Sequence, residues 1–93
     1  METLTFTEVN GRYESDVVNF TEDSAIELTF TEVPVFNGVD IDIWQSVSGN
    51  NWQKCFHDTL RNDNTYCKSI KGVSTEASYK IICSLEPSSA YYV

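Results

Sequence analysis

Positive charge is scarce in this chain: six Lys and Arg stand against 14 Asp and Glu, for a net charge of −8 at pH 7. A phosphate backbone or an anionic membrane surface would repel such a protein, so neither nucleic acid nor membrane is an expected partner. Four Gly and two Pro are too few for a collagen-like or proline-rich chain. No apolar stretch approaches the length of a membrane-spanning helix. No catalytic motif or cofactor fingerprint is present, so the expectation is a protein that is not an enzyme and carries no cofactor. The three Cys are an odd number and include no Cys-x-x-Cys pair. Residues 2–10 alternate and are polar, unlike the basic start and apolar run of a secretory signal. Synthesis in a cytoplasm and reduced thiols, not a disulfide framework, are therefore expected.

What is present suits a small folded domain. Ninety-three residues bound the chain to one domain, 1–93, and 41% hydrophobic with 13% aromatic content suffices for one core. The charge is lopsided. Residues 1–47 carry ten acids against Arg12 alone, a net −9; residues 48–93 carry four acids against five bases, a net +1. The two halves can attract each other within a chain or between copies. The simpler role of the acids is solubility and protection of sheet edges.

Leu4-Thr5-Phe6-Thr7-Glu8-Val9 recurs unchanged as Leu28-Thr29-Phe30-Thr31-Glu32-Val33. Each copy has the period-two pattern of a strand with one wet face, which predicts one strand design used in two equivalent places. Asn10-Gly11 is a hairpin signal, and Arg12–Phe20 is its return strand. Adjacent Val17-Val18 break the alternation there and predict a bulge or a change of sheet. Further strands are expected at Ala25–Val33, Val39–Ile43, Trp52–Asp58, Thr65–Ile70 and Ser78–Leu85, with Ala90–Val93 as a last edge strand. The fold class predicted is all-β, a single antiparallel β-sandwich of about seven strands, Ig-like or jelly-roll-like. A small closed barrel is the competitor. The expected core comprises Leu4, Phe6, Ile26, Leu28, Phe30, Val39, Ile41, Ile43, Phe56, Ile81 and Cys83.

Several constellations bear on chemistry. Asp40, Asp42 and Trp44 share the outward face of the Val39–Ile43 strand. Two such carboxylates could hold calcium, but neighbours on one strand are ordinarily a solvated face, and glycosidase chemistry needs carboxylates across a cleft. Strict alternation places Trp52, Lys54 and Phe56 on one face of the next strand, which makes Trp52 a core residue, and puts Cys55 and His57 on the other. Cys55, Cys67, Cys83 and His57 form a nominal zinc set. Its spacing is wrong for a knuckle and Cys83 faces inward, so no metal is expected. A Cys55–His57 nucleophile pair lacks an oxyanion loop. Thr5 and Thr7, and again Thr29 and Thr31, place hydroxyls two residues apart along a strand, either a binding ladder or ordinary β-formers. Trp44, Tyr91 and Tyr92 are candidate aromatic anchors for a protein interface or a sugar ring. The candidate contact residues are thus Trp44, Asp40, Asp42, Tyr91, Tyr92, Thr5, Thr7, Thr29 and Thr31.

The stretch Ile41-Asp42-Ile43-Trp44-Gln45-Ser46-Val47-Ser48-Gly49-Asn50-Asn51-Trp52 resembles the strand, turn and Trp of fibronectin type III-like and discoidin-like sandwiches. The chain as a whole is short, acidic, Thr-rich, without a signal and begun at its own Met. In that it resembles the small all-β virion proteins of tailed phages, which serve as capsid auxiliary, decoration or fibre-anchoring subunits. The resemblance implies a structural role in a repeated lattice, with protein partners or self-association, and a place in the virion after synthesis in a host cytoplasm. It carries over no functional residue. The alternatives are a carbohydrate-binding or adhesion sandwich and a cytoplasmic location.

Overall fold

A computed structural model describes residues 2–19, 24–48, 50–61, 67–73 and 76–92, with the backbone alone at 24, 67–69 and 71–73. Among these residues there are ten strands: β1 (Glu2–Thr3), β2 (Phe6–Val9), β3 (Arg12–Ser15), β4 (Val18–Asn19), β5 (Ser24–Thr29), β6 (Val39–Ser46), β7 (Gln53–Leu60), β8 (Cys67–Val73), β9 (Ser78–Cys83) and β10 (Ser89–Tyr92). They pair antiparallel in two sheets. One has the order β1-β10-β5-β8. The other has the order β2-β3-β9-β6-β7, with β4 also on β9. The protein is an all-β sandwich of two packed antiparallel sheets, not a closed barrel.

Two breaks account for the strand count exceeding about seven. The Thr3–Val9 run divides at Leu4-Thr5, where the chain leaves one sheet for the other: β1 pairs β10, and β2 pairs β3. Leu4 is buried at this crossing and its N–H donates to the Ala90 carbonyl at 2.9 Å. The Arg12–Phe20 run divides at Asp16-Val17 into β3 and β4, yet both halves lie on β9. The break is therefore an interruption within one sheet. Ser15 Oγ accepts the Ile81 N–H at 2.9 Å, filling a place in the ladder that a carbonyl would otherwise take. The Asn10-Gly11 hairpin forms as expected, with φ of 53° and 82°, the paired positive values that a type I′ turn demands.

Two expectations fail. The hexapeptide repeat is not one strand used twice. In the first copy the strand begins at Phe6, at a sheet edge; in the second it ends at Thr29, inside the other sheet. Phe30 and Val33 remain buried beyond the strand end, so the second copy's apolar residues turn inward from a loop. The C-terminal strand β10 is not an edge strand either, because β1 covers its outer side. Phe20, the 21–23 turn, residues 62–66 and Val93 lie outside the described residues.

Between the sheets lies one cluster that includes Leu4, Ile26, Leu28, Phe30, Val39, Ile41, Ile43, Ile81 and Cys83. Phe6 and Phe56 are only partly buried against it, since each sits on an edge strand. Burying each such Ile or Leu side chain contributes about 1.5–3 kcal/mol, the main favourable term for a sandwich of this size. No helix among the described residues is long and apolar enough to cross a membrane.

Candidate functional site

The outer face of the six-stranded sheet departs from the alternation read in the sequence. Across β6 and β7 the register runs Asp40↔Thr59, Asp42↔His57 and Ile43↔Phe56, then jumps to Trp44↔Lys54. Cys55 is the extra residue, a β-bulge. Past the bulge every β7 side chain changes face. Phe56 faces the core, whereas Lys54 comes out beside Asp42 and Trp44. Trp52, expected in the core, instead lines a hollow with Trp44, Lys80 and Ile82.

That hollow measures about 230 Å³. Trp44 stands at its centre in the sheet, with Lys80 opposite it on β9 and Lys54 opposite it on β7. Lys54 Nζ lies 5.6 Å from the Trp44 ring centroid and Lys80 Nζ lies 4.8 Å from that of Trp52. Each indole therefore has an ammonium over it, a contact worth about 0.5–1 kcal/mol at an exposed site. The floor includes Ile82, and the sequence did contain that signal. In the pair Ile81-Ile82 one side chain has to face out if the other faces in.

Beside the hollow is a charge cluster centred on Asp42, which is only 6% exposed. Arg12 Nη2 and Lys54 Nζ approach its Oδ2 at 3.3 and 3.6 Å, and His57 Nδ1 hydrogen-bonds its Oδ1 at 2.5 Å. The expected solvated face is thus corrected: a buried carboxylate sits among three basic groups drawn from β3 and β7. Burial of an ion is tolerable only with such partners. Asp40 turns elsewhere, accepting the Thr59 hydroxyl at 2.9 Å while its N–H donates to Ser84 Oγ. The two carboxylates are engaged by different groups. Among the described residues no group of three or more His, Cys, Asp or Glu is placed to hold a metal ion.

Cys55 and His57 likewise have separate partners. The Cys55 thiol donates to the Ile43 carbonyl at 3.4 Å, while His57 is held by Asp42. Desolvation pushes the Cys55 thiol up, against nucleophilic use. Cys83 is fully buried, and its pKa is pushed up to about 12 by burial. The Cys67 side chain lies outside what is described.

No protein-family model, curated protein or solved structure matches this chain. The geometry alone carries the functional reading.

The remaining candidates lie on β10, around the end of β5, at the crossing and on the edge strand β2. Tyr91 and Tyr92 are half-buried on β10, opposite Glu27 and Ile26. Thr7 is exposed on β2 opposite Glu14, Thr5 is exposed at the crossing, Thr29 is half-buried at the end of β5, and Thr31 is exposed beyond it. The four threonines do not form two matching ladders, because the two copies do not occupy equivalent strands. Thr5 and Tyr91 do come together. With Thr3, Ser88, Ser89 and Glu86 they line a groove of about 520 Å³ where the chain passes between sheets. The groove and the tryptophan hollow share no lining residue and are separate features.

Proposed function

We propose that this protein is a non-enzymatic interaction subunit that docks through the outer face of its six-stranded sheet, most simply as a small auxiliary or decoration subunit of a viral particle. The observation that carries the reading is the pair Trp44 and Trp52 lining one hollow on a solvent-facing sheet. Large aromatics in a shallow apolar depression ringed by charge are the anchor type that dominates protein interfaces. The lysines favour a protein surface over a stacked sugar. A sugar ring lying flat on either indole has to displace an ammonium already over it, at about 0.5–1 kcal/mol each. The Asp42 cluster supports the platform from one side by tying β3, β6 and β7 together across the sheet.

The test is gradient sedimentation of particles from cells that make this chain, with the chain quantified in the particle band. The expected result is stoichiometric presence that Trp44→Ala with Trp52→Ala abolishes, while the circular dichroism spectrum is unchanged. A chain that stays at the top of the gradient sinks the reading.

A carbohydrate-binding module is the second reading. It is favoured by the 520 Å³ groove, where Thr3, Thr5, Ser88, Ser89 and Tyr91 offer hydroxyls and Glu86 a carboxylate. A glycan array hit lost on Tyr91→Ala would establish it, and a hit lost on Trp44→Ala would move the sugar to the tryptophan face.

A further inference from the structure

Phe36 is the most exposed large apolar side chain among the described residues, at 90%, and its neighbour Val35 is 74% exposed. They do not hang from a loose loop. The segment from Pro34 to Gly38 closes on itself through the Gly38 N–H to the Pro34 carbonyl at 3.1 Å. Gly38 has φ of 68°, and a Cβ there would meet the Leu60 carbonyl oxygen at 2.5 Å, so the turn is seated against the end of β7. The fold thus holds an aromatic side chain out in water on a built turn. Exposed apolar area presented this way marks a contact surface.

The Trp44–Trp52 hollow is its complement. At about 230 Å³ it is smaller than the roughly 300–1,000 Å³ of pockets that take whole small ligands, and it suits one or two side chains. The charges match as well. Exposed Glu32 precedes the turn, on the half of the chain with net charge −9. Lys54 and Lys80 rim the hollow, on the half with net charge +1.

The tip cannot enter the hollow of its own chain. It leads into the first residue of β6, whereas Trp44 is five residues along that extended strand, roughly 17 Å away at ~3.3 Å per residue. We infer that the occupant is a second copy of this chain: the Val35-Phe36 turn of one copy seats in the Trp44–Trp52–Lys80–Ile82 hollow of the next. Tip and hollow are different surfaces: reciprocated about a two-fold axis the contact closes a dimer, and unreciprocated it propagates head to tail into a ring or a filament. The inference rests on the interaction-subunit reading above and specifies its partner.

Sedimentation velocity of the full chain over a concentration series tests it. The wild type should grow in mass with concentration, to two chains if the contact is reciprocal and beyond two if it propagates. Phe36→Ser keeps a hollow but no tip, and Trp52→Ala keeps a tip but no hollow, so each should be monomeric alone. Mixed in equal amounts they should form a two-chain species and nothing larger. Both changes fall on exposed or half-exposed side chains, and an unchanged strand spectrum in circular dichroism confirms folding. A wild type that stays monomeric throughout overturns the inference, as does a mixture that fails to associate. If either occurs while particle incorporation persists in Phe36→Ser and depends on Trp44, the self-contact falls and the subunit reading stands.

Discussion

Lys54 stands opposite Trp44 in the β6–β7 ladder because Cys55 takes an extra place in β7. One inserted residue puts an ammonium 5.6 Å from the Trp44 ring centroid and brings Trp52 into the same hollow. Each indole therefore has an ammonium beside it on a protein whose net charge is −8, Lys54 at Trp44 and Lys80 at Trp52. Tryptophan fluorescence should be quenched more strongly by iodide than by caesium. In the double variant Lys54→Glu with Lys80→Glu the order should invert. Equal quenching by both ions in the wild type would show that the lysines do not sit over the rings.

The Asp42 cluster should respond asymmetrically to mutation. Its carboxylate is buried, but Arg12, Lys54 and His57 are each about half exposed, with side-chain exposures of 44%, 43% and 54%. Removing the acid by Asp42→Asn leaves Arg12 and Lys54 as cations that water can solvate and should cost about 1–2 kcal/mol. Removing both cations by Arg12→Gln with Lys54→Gln strands the buried carboxylate and should cost more, about 3 kcal/mol. Urea unfolding of the two variants compares them. A larger loss for Asp42→Asn would contradict the assignment of Asp42 as the desolvated member.

Two glycines with positive φ should differ in tolerance. Gly11, at 82°, has nothing within 4 Å of a built Cβ, while Gly38 meets the Leu60 carbonyl oxygen at 2.5 Å. Gly11→Ala should cost about 1 kcal/mol from backbone conformation alone. Gly38→Ala adds a clash with main chain and should cost about 3 kcal/mol, with loss of the Val35-Phe36 turn. Thermal melts of both variants check the ranking.

Cys83 should make the fold sensitive to alkali. Burial raises its thiol from an ordinary 9.0 to about 12, with Arg12 drawing it back slightly. The unfolded chain loses this proton first, so between those two values the folded state binds more protons. Stability from this group is complete below pH 9.0 and lost as pH rises toward about 12, amounting to up to about 4 kcal/mol across the window. Cys83→Ala should lack that component, and the difference between the two stability–pH curves isolates it from other groups that titrate in the same range. Parallel curves would refute it.

The core was legible in the sequence because burial follows alternation where a strand has no bulge. Ile26 and Leu28, Val39, Ile41 and Ile43, and Ile81 with Cys83 fall at period two along their strands, and all are buried. Asn10-Gly11 was legible for a local reason as well, since two successive positive φ values suit few other residue pairs. The same alternation, read through Trp52–Asp58, misplaced Trp52 and Lys54. A bulge has no residue signature of its own and exists only relative to the strand it faces. The hexapeptide repeat misled for a related reason. Identical residues have identical local preferences, but Leu4-Thr5 is drawn across between sheets by Ala90, while Leu28-Thr29 is held in one sheet between β10 and β8. Which acid would be buried was likewise undecided by sequence, since Asp40 and Asp42 alternate alike. Asp42 alone has Arg12 delivered from β3 and His57 and Lys54 from β7, strands 30 and up to 15 residues away. Local pattern thus determined which apolar residues of the unbulged strands form the core. Tertiary pairing decided which polar residues meet, because that depends on strand order and register, which no short stretch of chain contains.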